Sequence, residues 1–234
     1  MSAPNVIRAA DGDAVAERAA RLIAELLDAT LTARGKAHLA LAGGTTPAGA
    51  YTQLQPRSWD GAELWFGDER CVGPEDPESN YQMVAQTLLG HAPGALVHRI
   101  QGELGAERAA AAYDALLRER VAGDGSSLPV LDIVLLGIGE DGHTASLFPH
   151  NPALHARGVA CVPVHNAPKP PPDRVSLSLE VLRDARSVIL LASGAAKAPA
   201  LARALAGADP DVPASLLVGD RLSVIADTAA LADT

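Results

Sequence analysis

The sequence predicts an α/β fold with a doubly wound, mostly parallel, Rossmann-like sheet and helices on both faces. Helix-like and strand-like segments alternate along the chain, as they do in such folds. The apolar run at residues 130–136 is nearly continuous, which is typical of a parallel strand covered on both faces. Polar, glycine-containing motifs follow four of the predicted strands. Because these sheets bind ligands beyond the carboxyl ends of their strands, we expect the four motifs to meet at one edge.

Five segments have the apolar spacing or the flanking residues of helices. In residues 14–34 the apolar residues recur at helical spacing, with Asp13 as the expected N-cap and Gly35 as the expected stop. Pro47 stands near the first turn of the next helix, where proline is well tolerated. The predicted helices are residues 14–34, 48–54, 81–89, 107–121 and 195–205.

Short apolar runs between these helices predict the strands. We expect strands at residues 38–42, 64–66, 96–100, 130–136, 159–164, 175–179, 188–191, 216–218 and 224–225. Residues 123–127 are a polar loop. Residues 166–173, NAPKPPPD, are too rich in proline for regular structure and predict a stiff surface loop. Strands resume on both sides of this loop without a change in composition, so we expect residues 1–234 to form one domain.

Composition limits the partners of the chain. Apolar residues make up 48% of it and aromatic residues only 3%, so the core must consist mainly of alanine, valine, leucine and isoleucine. The net charge of −9 argues against nucleic acid or an anionic membrane as a partner. An anionic substrate would therefore need basic side chains gathered locally. Lysine occurs only at positions 36, 169 and 197.

The chain has the features expected of a cytoplasmic protein. Cys71 and Cys161 are its two cysteines, too few for a disulfide scaffold in a chain of 234 residues. The first residues, MSAPNVIRAADGD, contain no apolar core of a signal peptide, and no segment approaches the length of a membrane span.

The motif GGTTP, residues 43–47, joins a predicted strand to a predicted helix. Gly43 and Gly44 allow backbone N–H groups to approach an anion at the helix N-terminus, and Thr45 and Thr46 add hydroxyl donors. The alternative is an ordinary strand-to-helix turn with a threonine cap. The glycine spacing matches neither the dinucleotide fingerprint nor the P-loop.

The motif GDER, residues 67–70, also follows a predicted strand. Arg70 can bind a phosphate or a sugar oxygen with two nitrogens, and Asp68 can hold a sugar hydroxyl. The alternative is an internal salt bridge between the two that closes the loop. Ser79 and Asn80 further on are expected to be helix caps before they are ligands.

The stretch LGIGEDGHTASLFP, residues 136–149, is the most informative part of the chain. His143 is the candidate general base, because a histidine takes up and returns a proton near neutral pH. Asp141 could orient the imidazole or hold substrate. A metal site is the rival interpretation, but no second histidine or cysteine stands at ligand spacing. We therefore expect neither a metal nor another cofactor.

Two basic residues complete the candidate site. Arg174 follows the proline-rich loop. Lys197, in the motif SGAAK, lies at the start of a predicted helix, where its charge opposes the helix dipole and suggests an anionic partner. An ordinary exposed lysine is the alternative for Lys197.

These motifs together resemble the 6-phosphogluconolactonase family. The match covers most of the chain and rests on GGTTP, DERCVGPEDPESNY, GIGEDGHTASLFP, PKPPPDRVSLS and SGAAKA in this order. Gly73 departs from the family pattern, in which a proline is common there. The family is in turn similar to sugar-phosphate isomerases and deaminases, with which it shares a related fold and a D-G-H turn.

The resemblance implies a function for each candidate residue. It implies metal-free hydrolysis of 6-phospho-D-glucono-1,5-lactone to 6-phosphogluconate in the oxidative pentose phosphate pathway. His143 would be the base, Arg70, Arg174 and Lys197 would lie near the phosphate, and residues 43–47 would close around the ligand.

Two other functions stay open on the sequence. A sugar-phosphate isomerase or deaminase would have a carboxylate shortly after the D-G-H turn, and residues 144–149, TASLFP, contain none. A non-catalytic sugar-phosphate sensor would not need the intact Asp141 and His143. The sequence does not determine the oligomeric state.

Overall fold

A seven-stranded parallel sheet forms the centre of the computed structural model, which describes residues 4–121, 125, 127–217 and 219–234. The strands of the chain are β1 Asn5–Ala9, β2 Ala37–Leu41, β3 Ala62–Phe66, β4 Asp68–Arg70, β5 Leu96–Val97, β6 Ile133–Gly137, β7 Cys161–Val164, β8 Arg174–Leu177, β9 Ser187–Ala192 and β10 Leu222–Asp227. The large sheet has the order β1-β10-β9-β6-β2-β3-β5, and all its pairs are parallel. The chain therefore winds outwards in two directions from β2 and β6, as the predicted fold class requires.

Six α-helices accompany the sheet in the described part of the chain. They are α1 Gly12–Arg34, α2 Thr45–Tyr51, α3 Asn80–Thr87, α4 Ala106–Arg120, α5 Leu179–Asp184 and α6 Ala198–Ala206. In β6, the central strand of the sheet, residues 133–136 are all buried, so the middle of the sheet is covered on both faces. The prediction of a doubly wound α/β fold is confirmed.

The longest helix, α1, shows where the capping prediction was wrong. Its N-cap is Asp11, whose carboxylate accepts a hydrogen bond from the Ala14 N–H at 2.9 Å, whereas Asp13 lies inside the first turn. Gly35 ends the helix in the left-handed conformation, with φ of 68°, as predicted.

A second, antiparallel sheet of three strands, in the order β4-β8-β7, lies apart from the large one. The segments 159–164 and 175–179 were predicted as strands, but their pairing in a separate antiparallel sheet was not predicted. Only residues 165–173 join β7 to β8, too few for the crossover that parallel pairing needs. The strand β4 follows β3 after a single glycine and was not predicted.

Three further segments differ from their predictions. The predicted strand 216–218 is in fact a 3-10 helix, Pro213–Leu217, and Val218 lies outside the described residues. The edge strand β1 was not predicted. In the predicted helix 195–205, Ala195–Lys197 form a 3-10 turn before α6. The predicted polar loop at 123–127 falls partly outside the described residues.

Candidate active site

A cleft of about 230 Å³ opens at the carboxyl edge of the large sheet. The segments after β2, β3, β6 and β9 meet there, as the sequence predicted. Its lining includes every predicted site residue except Asp141, namely Gly43, Gly44, Thr45, Thr46, Asp68, Arg70, His143, Arg174 and Lys197. It also includes Asn80, Lys169 and Ser193, to which the sequence analysis gave no primary role in binding.

Asp141 lies behind His143 rather than on the cleft wall. Its Oδ1 is 2.5 Å from His143 Nδ1 and also accepts the His143 backbone N–H at 3.2 Å. With Nδ1 bonded to a carboxylate, the imidazole has Nε2 left for proton transfer. Of the two roles considered for Asp141, this geometry favours orientation of the imidazole.

The charge of Asp141 is maintained by the same contact. Burial raises the pKa of its carboxyl, but the hydrogen bond and the charge of His143 outweigh this, so the pKa lies below its ordinary value. The acid is therefore ionised at neutral pH.

Gly139 leaves the room that this pair needs. A Cβ atom at position 139 would lie 2.0 Å from His143 Nδ1 and 2.4 Å from Asp141 Oδ1. The Gly139 N–H donates to the His143 carbonyl at 2.8 Å, so the backbone closes the turn around the pair. Position 139 therefore requires glycine, because a Cβ atom there would collide with His143 and Asp141.

Phe148 connects the histidine to a buried arginine. Its ring centroid is 4.5 Å from that of His143, and the Arg174 guanidinium carbon is 5.5 Å from the same ring on the cation–π side. Burial lowers the pKa of Arg174, in part offset by the charge of Asp68. His143 therefore packs against the ring of Phe148, and Arg174 contacts the same ring.

Asp68 is fixed by two hydrogen bonds from other segments. The buried hydroxyl of Ser146 donates to Asp68 Oδ2 at 2.6 Å, and Asn80 Nδ2 donates to Asp68 Oδ1 at 3.1 Å. Asn80 also packs against Gly43, where a Cβ atom would lie 2.1 Å from Asn80 Oδ1. Asn80, predicted mainly as a helix cap, thus connects the turn after β2 to the acid after β3.

Glu69, between Asp68 and Arg70, points away from the cleft and organises the start of α3. Its buried carboxylate accepts the backbone N–H groups of Asn80 at 2.7 Å and Tyr81 at 2.8 Å, and the Ser79 hydroxyl at 3.0 Å. Burial raises the pKa of Glu69, and these bonds only partly offset it. The sequence analysis missed this role, although alternation along a strand places Glu69 on the opposite face from its neighbours.

Arg70 does not form the salt bridge with Asp68 that was its alternative interpretation. Its Nη1 donates to the Glu78 carbonyl at 2.5 Å and lies 3.9 Å from Glu78 Oε2. Its buried Nε has no hydrogen-bond partner among the described residues. Arg70 and Arg174 are register partners on β4 and β8, so two guanidinium groups stand on one wall of the cleft.

The turn before α6 is held by an acid that the sequence analysis did not identify. Asp227, at the end of β10, accepts the Ser193 hydroxyl at 2.6 Å and the Gly194 N–H at 2.9 Å. Burial raises the pKa of Asp227, but these hydrogen bonds lower it by more than burial raises it. The pKa therefore lies below its ordinary value, and the carboxylate is ionised at neutral pH. Lys197 follows this turn and makes no ion pair with any described side chain.

Within the described ranges, no group of three or more histidine, cysteine, aspartate or glutamate side chains is arranged to hold a metal ion. No helix in the same ranges is long and apolar enough to span a membrane. The absence of a metal requirement stays a prediction.

A family model described as "Glucosamine-6-phosphate isomerases/6-phosphogluconolactonase" matches residues 10–225. This chain belongs to that family. The family's 6-phosphogluconolactonase from Streptomyces coelicolor is 39% identical over 88% of this chain and 84% of its own length. The human 6-phosphogluconolactonase is 39% identical over 93% of this chain and 84% of its own.

Solved structures agree with this family assignment. The 6-phosphogluconolactonase of Trypanosoma brucei superposes with a TM-score of 0.89 at 29% identity, covering 98% of both chains. A monomeric glucosamine-6-phosphate deaminase superposes with a TM-score of 0.81 at 24% identity and shows the shared fold. The family has therefore been identified correctly from its motifs.

Proposed function

We propose that this chain hydrolyses 6-phospho-D-glucono-1,5-lactone to 6-phosphogluconate. The observation that carries the proposal is the Asp141–His143 pair at 2.5 Å, beside a cleft lined by Arg70, Arg174 and Lys197. The base can activate water for attack on the uncharged ester of the lactone, and the clustered cations can bind the phosphate of the sugar. The family members named as 6-phosphogluconolactonases, at 38–39% identity, support the same reaction.

His143 activates the attacking water. Its Nε2 takes one proton as the water oxygen bonds to C1 of the lactone, and the ionised Asp141 stabilises the resulting imidazolium. The addition gives a tetrahedral intermediate with a negative oxygen on C1. The water must therefore lie between His143 and C1 before the reaction.

The intermediate then opens the ring. The bond between C1 and the ring oxygen breaks, and the imidazolium returns its proton to the departing oxygen, which becomes the 5-hydroxyl. Backbone N–H groups of the glycine-rich turn at Gly43 and Gly44 stabilise the developing oxyanion, whereas the Gly139 N–H is already bonded to the His143 carbonyl. The new carboxylic acid ionises, so each turnover releases one proton.

The phosphate holds the sugar in place for this attack. Arg70, Arg174 and Lys197 supply positive charge, while Thr45 and Thr46 add hydroxyl donors from the start of α2. Asp68, held by Ser146 and Asn80, accepts a hydrogen bond from a sugar hydroxyl. These contacts fix C1 relative to His143 and reduce the entropy cost of the reaction.

We further propose the domain organisation, cellular location and partners of the enzyme. One hydrophobic cluster extends from Ala9 to Leu231, which supports a single domain over residues 1–234. The enzyme acts in the cytoplasm, in the oxidative pentose phosphate pathway, and needs neither metal nor cofactor. Nucleic acid and membranes are not among its partners.

The test is proton release from lactone generated immediately before use. Purified full-length protein should release protons far faster than the spontaneous reaction, and a folded His143→Ala variant should lose about 10²–10⁴ of the rate. Ammonia release from glucosamine 6-phosphate serves as the comparison reaction. If the wild-type protein does not exceed spontaneous hydrolysis, the proposal is wrong.

A further inference from the structure

The proline-rich loop, residues 166–173, brings one unassigned side chain to the cleft. Lys169 lines it together with Arg70, Arg174 and Lys197. The side chain is exposed, and its ammonium group bonds to no other group in the part of the chain that the structure describes. An unpaired cation beside three others, in a chain of net charge −9, indicates an anionic ligand.

This loop has a defined backbone although it has no regular structure. The Ala167 N–H donates to the Pro172 carbonyl at 2.9 Å, which closes the loop on itself. At its end, the Asp173 carbonyl accepts the Cys71 N–H at 3.0 Å, and the Asp173 carboxylate is 2.8 Å from His165 Nδ1. Lys169 is therefore presented from a fixed position.

Arg174 fastens the same loop from inside the protein. Its Nε donates to the Pro171 carbonyl at 3.1 Å, and its Nη2 donates to the carbonyl of Lys169 itself at 2.9 Å. The arginine is only 6% exposed, so these bonds are shielded from water. A lysine at this position would lack the planar edge with two separate nitrogens, Nε and Nη2, that Arg174 presents to the two carbonyls.

We propose that Lys169 is a substrate-binding residue that pairs with the phosphate of the lactone, and that Arg174 is its positioning residue. The inference rests on the proposed function, since it needs a phosphorylated ligand in this cleft. Arg174 thus acts twice: its side chain lines the cleft, while Nε and Nη2 hold the backbone that carries Lys169. Cations from two separate segments, this loop and the turn before α6, then bind one phosphate.

Binding of 6-phosphogluconate to the full-length protein tests the role of Lys169 without relying on catalysis. By calorimetry, Lys169→Ala should weaken binding about fivefold to tenfold, as expected for an exposed charge-assisted contact. Lys169→Arg should recover most of the affinity because it keeps the charge. Lys36→Ala is the control, since Lys36 is another exposed lysine, lies 3.4 Å from Glu63 and does not line the cleft.

A substrate without the phosphate separates charge pairing from a change in cleft shape. The kcat/KM of Lys169→Ala for unphosphorylated glucono-1,5-lactone should equal that of wild type, while KM for the phosphorylated lactone rises and kcat stays. An equal loss with both lactones would overturn the phosphate contact.

A double-mutant cycle tests the positioning role. In an Arg174→Lys background, Lys169→Ala should weaken 6-phosphogluconate binding less than about twofold, because the loop no longer presents the lysine. Additive effects of the two substitutions would overturn the role of Arg174. Unchanged affinity of Lys169→Ala for 6-phosphogluconate would overturn the phosphate-binding role of Lys169. Lactonase activity of the wild-type protein in the same preparation would still support the proposed function.

Discussion

Arg70 and Arg174 lie directly opposite each other on the antiparallel strands β4 and β8, and both line the cleft. Like charges in this arrangement repel, and cross-strand pairs are close enough for the repulsion to destabilise the sheet. The Arg70 Nε is buried without a hydrogen-bond partner among the described residues, which adds to this cost. An anion between the two guanidinium groups would relieve both penalties, so ligand binding and local stability are coupled here.

Replacing Asp141 by asparagine should lower the hydrolysis rate by about 10²–10⁴, because the amide no longer stabilises the imidazolium or selects its tautomer. The substitution should also change the acid sensitivity of the fold. The pKa of Asp141 is depressed in the folded state, so its contribution to stability is present above the ordinary aspartate pKa and is lost as the pH falls through the folded value. Urea unfolding of both proteins between pH 7 and pH 3 should give a stability difference that shrinks at the acid end. A constant difference over this range would contradict the linkage.

Gly139→Ala should abolish most of the activity, with a loss of about 10² or more, because the new Cβ would collide with both members of the catalytic pair. Gly73→Ala is the control, since its Cβ would meet nothing within 4 Å. The assay is proton release at saturating lactone, with circular dichroism to confirm folding. Normal turnover in a folded Gly139→Ala protein would show that the pair tolerates displacement.

Ser146→Ala should destabilise the protein by about 1–3 kcal/mol, because it leaves the buried Oδ2 of Asp68 without its 2.6 Å donor. It should also raise KM, since Asp68 is no longer fixed. Thr32→Ala is a suitable control, because the exposed Thr32 hydroxyl bonds only to a carbonyl of its own helix. Chemical denaturation measures the difference, and equal stability of the two variants would contradict the expected penalty.

Lys197→Ala should weaken 6-phosphogluconate binding by about 1.5–3 kcal/mol, the usual magnitude for a hydrogen bond to a charged group. The thermal stabilisation that wild-type protein gains from this ligand should shrink accordingly, since a ligand stabilises the fold in proportion to the logarithm of its excess over Kd. Melting curves with and without 6-phosphogluconate check this, with Lys36→Ala as the reference. An undiminished shift in Lys197→Ala would place the phosphate elsewhere.

Activity should survive chelation. The ring ester is already reactive, and an oriented base with backbone donors can hydrolyse it without a Lewis acid. The experiment is dialysis against EDTA, elemental analysis and a prompt assay. If activity disappears and returns with one added divalent ion, His143 must be reassigned as a metal ligand.

The central sheet was predictable because its signal is local. Strands such as β6 and β9 are continuous apolar runs, and the motifs that follow them mark the carboxyl edge. The small sheet was not predictable in the same way, because β4 has the sequence DER and its pairing with β8 depends on a segment about a hundred residues away. Nothing in three polar residues distinguishes a strand from a turn until the partner is known.

In the candidate site too, some residues were predictable from the local sequence and others were not. Residue type and position after a strand identified His143, Arg70 and Lys197, because their chemistry is unusual at those places. The supporting contacts of Asn80 and Asp227 were not predicted, because both side chains bond to segments that are distant in the sequence. A buried amide or carboxylate that holds another segment has no periodic signature in the chain.

The residues of the cleft come from positions as far apart as Gly43 and Lys197, and the sheet that carries them pairs strands that are distant in the chain, as in β1 with β10, where Asn5 is the register partner of Ser223. Such long loops must be closed before any of these contacts stabilises the chain, which slows folding. Recovery of catalysis after dilution from denaturant should therefore lag behind the return of helical circular dichroism. The return of enzyme activity therefore reports the completion of folding. Fragments that contain only one half of the central sheet should have no activity.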